Sequence, residues 1–336
     1  MLEKPALPDG DILDLLREAY GLQPAGVVFL PLGADVHTAV YRVADAGGQA
    51  YFLKLRGGVF DENPVRIAAL LHERGIRQAV PVVRTCGGGL WARLEDFTCT
   101  LSPFIVGRDG FEQELTDAQW LEFGAALRAV HSLDLPDDLR AALPREDWSA
   151  RWREAVRGWQ AQAESAAFAD PLAARMAAFL RDHRAEVDFL LARAEQLATG
   201  LAARRPDCVL CHADIHAGNL LLAEHGELYI VDWDTALLAP RERDLMFIGA
   251  GIGGTWQTER EAALFYCGYG QVEIDRAALA YYRYERILED IAAFCAQILP
   301  TAGDSEDRER GFGFFISNFA PGGEIETARQ GEEGLK

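Results

Sequence analysis

The chain has 336 residues, 49% hydrophobic and 25% charged, an ordinary make-up for a soluble globular protein of about two domains. Its 52 acidic residues outnumber 33 basic ones, for a formal net charge of −19. Nucleic acid is therefore a poor partner, because phosphate backbones want a basic surface. Such a field draws divalent cations and cationic small molecules, and it also simply keeps a protein soluble. No apolar run approaches the ~18 residues of a membrane span. Met1-Leu2-Glu3-Lys4-Pro5 lacks the basic stretch and apolar core of a secretory signal, so the expected location is the cytoplasm. Six scattered cysteines form no disulfide framework, and Cys208-Val209-Leu210-Cys211 is expected as a buried strand rather than a metal clip.

In chain order, Asp11–Tyr20 has helical apolar spacing and stops at Gly21. Val27–Leu32, Ala39–Val43 and Ala50–Leu55 read as strands of an antiparallel meander, separated by Gly33-Ala34-Asp35 and Asp45-Ala46-Gly47-Gly48. Lys54 stands alone in the apolar run of the third strand. A helix is predicted over Asp61–Gly75, then a hairpin Val80–Thr85/Gly89–Leu94 around Gly87-Gly88, then a strand Phe97–Ile105. Thr116-Asp117-Ala118-Gln119 is a capping-box signature. Behind it come helices near Trp120–Val130, Trp148–Ala163, Pro171–His183 and Arg184–Ala203. After a strand pair within Cys211–Asp234 follow helices near Arg243–Ile248, Thr258–Tyr266 and Ala277–Leu299. Pro321 to Lys336 is Gly- and Glu-rich and expected to fray, with Ile325 able to dock. The expected fold class is α+β: a small antiparallel-sheet lobe over residues 1–106 and a larger, mostly helical lobe over 107–336.

The chemistry concentrates in Cys211-His212-Ala213-Asp214-Ile215-His216-Ala217-Gly218-Asn219, followed by Val231-Asp232-Trp233-Asp234. Asp214 and Asn219 stand as D-x-x-x-x-N, and Asp232 arrives thirteen residues later. Phosphoryl transfer asks for this set: one Asp to take a hydroxyl proton, and an Asn and a second Asp to hold Mg²⁺, a hard cation that prefers oxygen. Lys54 would contact the α/β-phosphates of ATP. Gly33 and Asp35, in the turn between the first two strands, would lie over the phosphates through backbone N–H groups. A rival reading takes the alternating His212, Asp214 and His216 as ligands of a metal-dependent hydrolase. It needs more ligands than the sequence clusters there and leaves Asn219, Asp232 and Lys54 without roles.

The loop 211–219 resembles the signature loop of the aminoglycoside phosphotransferases and related small-molecule kinases. The stretches HADIHAGN (212–219), IVDWD (230–234), APRERDLMFIGAGIG (239–253), YYRYERILEDIA (281–292) and LTDAQW (115–120) are similar, more narrowly, to the branch acting on spectinomycin. The resemblance implies a protein-kinase-like fold, with Asp214 as catalytic base, Asn219 and Asp232 as metal ligands and Lys54 as the phosphate-binding lysine. It also implies a Glu partner for Lys54 on the first helix of the sheet lobe. Glu62 and Glu73 are both available, and Glu62 aligns better. The adenine would lie against backbone groups near Pro103, Phe104 and Ile105. A single glycine, Gly33, stands where protein kinases have a Gly-rich loop. The implied acceptor is the 9-hydroxyl of spectinomycin, with homoserine, choline or a sugar as alternatives. Its two methylamino groups call for carboxylates and aromatic faces, for which Trp233, Asp234, Tyr282, Glu285 and Asp290 are candidates. Glu285 and Glu289 could instead form surface pairs with Arg283 or Arg286. Asp244 is expected to cap its helix or brace the metal loop. The sequence leaves the oligomeric state open.

Overall fold

An acidic first turn, Asp9 and Asp11, and a left-handed Gly21 at φ 66° bound the first helix, α1 (Asp9–Tyr20). Gly21 and Leu22 N–H groups close its end on the Arg17 and Leu16 carbonyls, at 3.1 and 3.2 Å. The computed structural model describes residues 4–31, 37–303 and 306–333. By contacts it divides into two units, Met1–Leu143 with Ala217–Ala236 and Pro144–His216 with Leu237–Lys336.

In the first unit, β1 (Pro24–Leu30), β2 (Thr38–Asp45) and β3 (Ala50–Gly57) form the expected meander. Helix α2 (Asn63–Glu73) follows, then β4 (Ala92–Leu94) and β5 (Phe97–Pro103). The sheet runs β1-β2-β3-β5-β4, antiparallel throughout. Ile12, Leu16 and Tyr20 of α1 pack on its apolar face against Tyr41, Val43, Leu53, Leu55, Cys99 and Leu101. The Tyr20 hydroxyl donates to the Cys99 carbonyl at 3.0 Å. The hairpin expected over residues 80–94 is a correction. Pro81 cannot donate to a ladder, and Thr85 and Gly88–Gly89 close on one another as a local turn. Ala92–Leu94 pairs with the next strand instead, around Glu95 at φ 50°.

β6 (Gly107–Asp109), α3 (Asp117–His131) and α4 (Asp137–Ala142) complete the first stretch of this unit. The capping box of α3 is present, with Thr116 and Gln119 as its two halves. β7 (Val209–Cys211) belongs to the second unit. β8 (Leu220–Ala223) and β9 (Leu228–Ile230) return to the first and join β6 in a sheet of order β6-β8-β9. Gly107 allows the approach: a Cβ there would lie 2.3 Å from the Leu222 carbonyl oxygen. The hairpin is braced at both ends. Gln119 Nε2 donates to the Gly226 carbonyl at its turn, 3.0 Å, and the Ile230 N–H donates to the Gln78 carbonyl, 2.7 Å.

The second unit is helical. α5 (Arg151–Ser165), α6 (Pro171–Asp182) and α7 (Arg184–Arg204) precede β7, which pairs antiparallel with β10 (Leu237–Ala239). α8 (Glu242–Leu245), α9 (Glu259–Tyr269) and α10 (Arg276–Ile298) follow, then α11 (Glu306–Ser317) and α12 (Glu324–Glu333). α10 is the axis of this unit, packing on α5, α6, α7, α8, α11 and α12. Its Asp275 N-cap accepts from the Ala277 and Ala278 N–H groups. The segment expected to fray instead forms α12, with Ile325 and Ala328 buried. Among the described residues, no helix is long and apolar enough to cross a membrane.

Leu16 is fully buried in the first unit. Leu16→Ala should lower stability by about 2–5 kcal/mol, read as a drop in the urea midpoint at unchanged slope.

Candidate active site

The first unit assembles a cluster of opposite charges around Lys54. On β3, Lys54 lies opposite Val40 of β2 and Thr100 of β5. Its ammonium is 2.8 Å from Asp234 Oδ2 and 3.7 Å from Asp232 Oδ1. Arg56, two residues on and so on the same face, also donates to Asp234 Oδ2. Burial pushes the Asp234 carboxyl up, but the charges of Lys54 and Arg56 outweigh it and hold the group below the usual carboxylate range.

Asp232 follows β9 at φ 63°, a left-handed backbone that costs a non-glycine residue about 1–3 kcal/mol. A 3-10 turn, Trp233–Thr235, follows it directly. The two expected metal-ligand positions are tied through the backbone, because the Val231 N–H donates to the Asn219 carbonyl at 3.0 Å. Asn219 ends a second 3-10 turn, Ala217–Asn219, whose Ala217 carbonyl accepts from the Gly110 N–H at 2.9 Å. Asn219 and Asp232 together offer a carboxamide and a carboxylate, oxygen donors suited to a hard divalent cation.

Several expectations for this unit are corrected. Glu62 is not the partner of Lys54. It precedes α2 in helical backbone conformation and pairs with Arg66 one turn on, at 3.2 Å. Arg66 in turn pairs with Asp138 of α4. Glu73 pairs with Arg84 on the surface, at 2.6 Å. Trp233, expected to offer an aromatic face to a ligand, is 5% exposed, and its indole N–H donates to the Ile230 carbonyl at 3.3 Å. Asp234, expected beside the acceptor, is held by Lys54 and Arg56. Pro103 ends β5, and the Phe104 N–H extends the ladder to the Ala50 carbonyl at 3.0 Å. Arg42 stands over the Phe104 ring at 5.1 Å. A base held along Pro103, Phe104 and Ile105 would therefore use groups other than that N–H. Gly33 and Asp35 lie outside the described residues.

The second unit places Asp214. Beneath its loop, Asp244 of α8 is 0% exposed, and its carboxylate accepts from the N–H groups of His212 at 2.9 Å and Ala213 at 2.6 Å. Ala213 is thereby held at φ 71°, and the chain turns so that the Asp214 N–H donates to His212 Nδ1 at 3.3 Å. Through this bond the His212 ring braces the loop. Arg286 of α10 donates to Asp214 Oδ1 at 2.7 Å, and His216 Nε2 is 3.5 Å from Oδ2. Burial pushes the Asp214 carboxyl up, but His216 and Arg286 prevail and hold it well below the usual range. It is an ionised acceptor at neutral pH.

Of the acceptor candidates on α10, only Asp290 stands in this group, 3.2 Å from Arg286 Nε. Glu285 is corrected: it is buried, and both its oxygens accept from Arg153 Nη1, at 2.5 and 2.9 Å. Burial is the main influence on Glu285 and, although opposed by Arg153, pushes it up to about 7. Arg153 Nη2 also donates to the Trp148 and Ser149 carbonyls at 3.0 and 3.1 Å. This is a structural ion pair in the helical core. Tyr282 is also corrected; it is 1% exposed and packs on Trp148, ring centroids 5.9 Å apart. Arg283 donates to the Met246 and Ile248 carbonyls at 3.2 and 2.9 Å rather than to a surface carboxylate. The hydrolase reading finds no support, since no group of three metal-binding side chains converging within 4.8 Å among the described residues contains His212, Asp214 and His216.

The profile of a phosphotransferase enzyme family matches residues 28–282. The chain belongs to that family. The phosphotransferase is similar to a spectinomycin phosphotransferase, APH(9)-Ia, solved with ADP and spectinomycin. Identity is 36% over 98% of this chain and 100% of that chain, with a TM-score of 0.89. The AMP-bound structure of APH(9)-Ia gives 35% identity over 96% and 98%, with a TM-score of 0.85. An amicoumacin kinase solved with AMP-PNP, Ca²⁺ and Ami is 18% identical over 98% and 94%, with a TM-score of 0.61, and shares the fold. The phosphotransferase thus has a protein-kinase-like fold, with a small antiparallel sheet before a larger helical region, and is a small-molecule kinase with an alcohol as acceptor.

Arg56, Arg286 and Arg153 make pairings that spacing missed. Each meets a carboxylate remote in sequence, a pairing no local pattern encodes. Asp244 carried a weak signal as an acid near a helix start. Asp244→Ala would strand two buried N–H groups, each bonded to a charged acceptor worth about 1.5–3 kcal/mol. Its stability should fall by about 3–5 kcal/mol in denaturant melts, with Asp244→Asn losing less.

Proposed function

We propose that the enzyme transfers the γ-phosphoryl group of ATP to the 9-hydroxyl of spectinomycin, a cationic aminocyclitol, in the cytoplasm and as an antibiotic-modifying reaction. The observation that carries this reading is 36% identity over nearly the whole of both chains with a spectinomycin phosphotransferase solved with ADP and spectinomycin. In this reading residues 1–106 bind the nucleotide, and residues 107–336 carry the catalytic loop and the acceptor site.

Each role follows from the chemistry of the side chain. Lys54 would bind the phosphates, its ammonium already held in place by two carboxylates. Asn219 and Asp232 would hold Mg²⁺, which supplies neutralisation of charge on the phosphate oxygens. Asp214 orients the acceptor hydroxyl and receives its proton. As that O–H bond breaks, the acceptor oxygen bonds to the γ-phosphorus, and the bond from phosphorus to the β,γ-bridging oxygen breaks, releasing ADP. A carboxylate held below its usual pKa is a weak base, which suits a loose transition state in which positioning and charge neutralisation contribute most. Asp290 would face an ammonium group of the acceptor.

Purified protein with ATP and Mg²⁺ should phosphorylate spectinomycin in preference to homoserine, choline or a simple sugar. Transfer to one of those instead would overturn the aminocyclitol reading and keep the kinase. Asp214→Asn should lower kcat by roughly 10²–10⁴-fold with an unchanged melting temperature. Near-normal turnover would remove Asp214 as base.

A further inference from the structure

One arginine in the second unit touches the proposed base. Arg286 donates through Nη1 to Asp214 Oδ1 at 2.7 Å and through Nε to Asp290, one turn along α10, with contacts of 3.2 and 3.3 Å to its two oxygens. The face of the guanidinium looks toward the Phe247 ring, 5.8 Å from its centroid. We infer that Arg286 is a positioning residue for phosphoryl transfer: anchored by Asp290, it fixes the Asp214 carboxylate by one oxygen in the orientation that receives the hydroxyl proton. The inference rests on Asp214 acting as the base.

The geometry favours this over a merely structural pair. Asp214 extends from a loop, where a side chain has rotamers to choose among, while Arg286 extends from a helix of 23 residues packed on six others. A guanidinium presents donors in a rigid plane, so binding Asp290 through Nε aims Nη1 at Asp214. A flexible ammonium cannot do both in fixed geometry. Each carboxylate oxygen has two lone pairs, so engaging Oδ1 leaves acceptor capacity for a substrate hydroxyl.

The charged and titratable neighbours give the sign of the pH effect. Asp214 is faced by His216 and His212 from its own loop, with Asp244 beneath that loop. From α10 it is faced by Arg286 and Asp290, with Glu289 acting on Arg286. Burial pushes Asp214 up, while His216 and Arg286 push it down. Without Arg286, burial is opposed less strongly, so the Asp214 pKa rises. Protonated Asp214 cannot take the hydroxyl proton, so activity is lost progressively as pH falls.

The test is kcat and KM for ATP with the full-length enzyme, Arg286→Met and Arg286→Lys, from about pH 8 to about pH 5. Arg286→Met should lower kcat by about 10–100-fold near neutral pH with little change in KM for ATP, and its kcat relative to wild type should fall further toward acid. Arg286→Lys, which keeps the charge, should recover part of both. A ratio that stays flat with pH, or an Arg286→Met enzyme as fast as wild type, overturns the inference. Should Arg286→Met fail to fold, carbon-detected NMR titration of Asp214 in wild type and Arg286→Lys decides. A higher midpoint in the variant supports the bridge, and an unmoved one overturns it. Wild-type enzyme inactive on every alcohol would overturn the proposed function instead, with the Asp214 titration still reporting on Arg286.

Discussion

The Asp244 carboxylate, wholly buried at α8, accepts from two consecutive backbone N–H groups, and the geometry of Asp214 follows from it. Two amides aimed at one carboxylate oblige the chain to turn sharply. The turn puts Ala213 in the left-handed region, at a cost of about 1–3 kcal/mol. Charge-assisted bonds of about 1.5–3 kcal/mol each offset that strain. The strained residue immediately precedes the proposed base. Asp232 repeats the device in the first unit, where a left-handed non-glycine residue stands at the expected metal-ligand position. In both loops a candidate carboxylate sits on or beside left-handed backbone that ordered neighbours hold in place.

The two charge clusters solve opposite problems. Around Lys54, carboxylates from the β9 end gather cations, with Lys54 and Arg56 meeting on Asp234. That arrangement keeps the Lys54 side chain directed and leaves Asp232 at 3.7 Å, more loosely held than Asp234. Around Asp214, one guanidinium serves two carboxylates, Asp214 and Asp290. The buried Arg153–Glu285 pair belongs to neither cluster. Two charges taken out of water contribute little net stability even when well paired, but removing one partner is costly, so this pair constrains how α5 docks on α10.

Fixed spacing was enough to mark candidate residues. Asp214, Asn219 and Asp232 had to stand at loop and hairpin distances from one another, and Lys54 on a sheet strand stood out against an apolar run. One helix start was legible as well, since the Thr116–Gln119 box is a local hydrogen-bond pattern. What failed was pairing at a distance. Nothing near Lys54 says that its carboxylates come from residues 232 and 234 rather than from Glu62. Pro81 was readable as a ladder breaker, but apolar alternation around it favoured a strand. The tail from Pro321 looked too polar to order, yet α12 buries Ile325 and Ala328, and its Glu332 pairs with Arg193 and accepts from the Tyr284 hydroxyl.

Helix α10 shows why an acceptor site is hard to read from spacing. Glu285, Arg286, Glu289 and Asp290 look like one charged stripe, and a solvated face would look the same. The structure separates them by what waits across from each. Arg153 meets Glu285 and removes it from ligand chemistry, while Arg286 turns to Asp214 and keeps Asp290 beside it. One guanidinium serves Asp214 and Asp290, and burial pushes the Asp290 carboxyl up; in its ionised form the group of three carries an excess of negative charge. A positively charged substrate nitrogen would neutralise the excess without breaking the Arg286 bridge, whereas a neutral alcohol would leave it uncompensated. In the proposed reaction, a preference for a cation would trace to Asp290 and the sharing of one guanidinium rather than to the overall acidity of the chain.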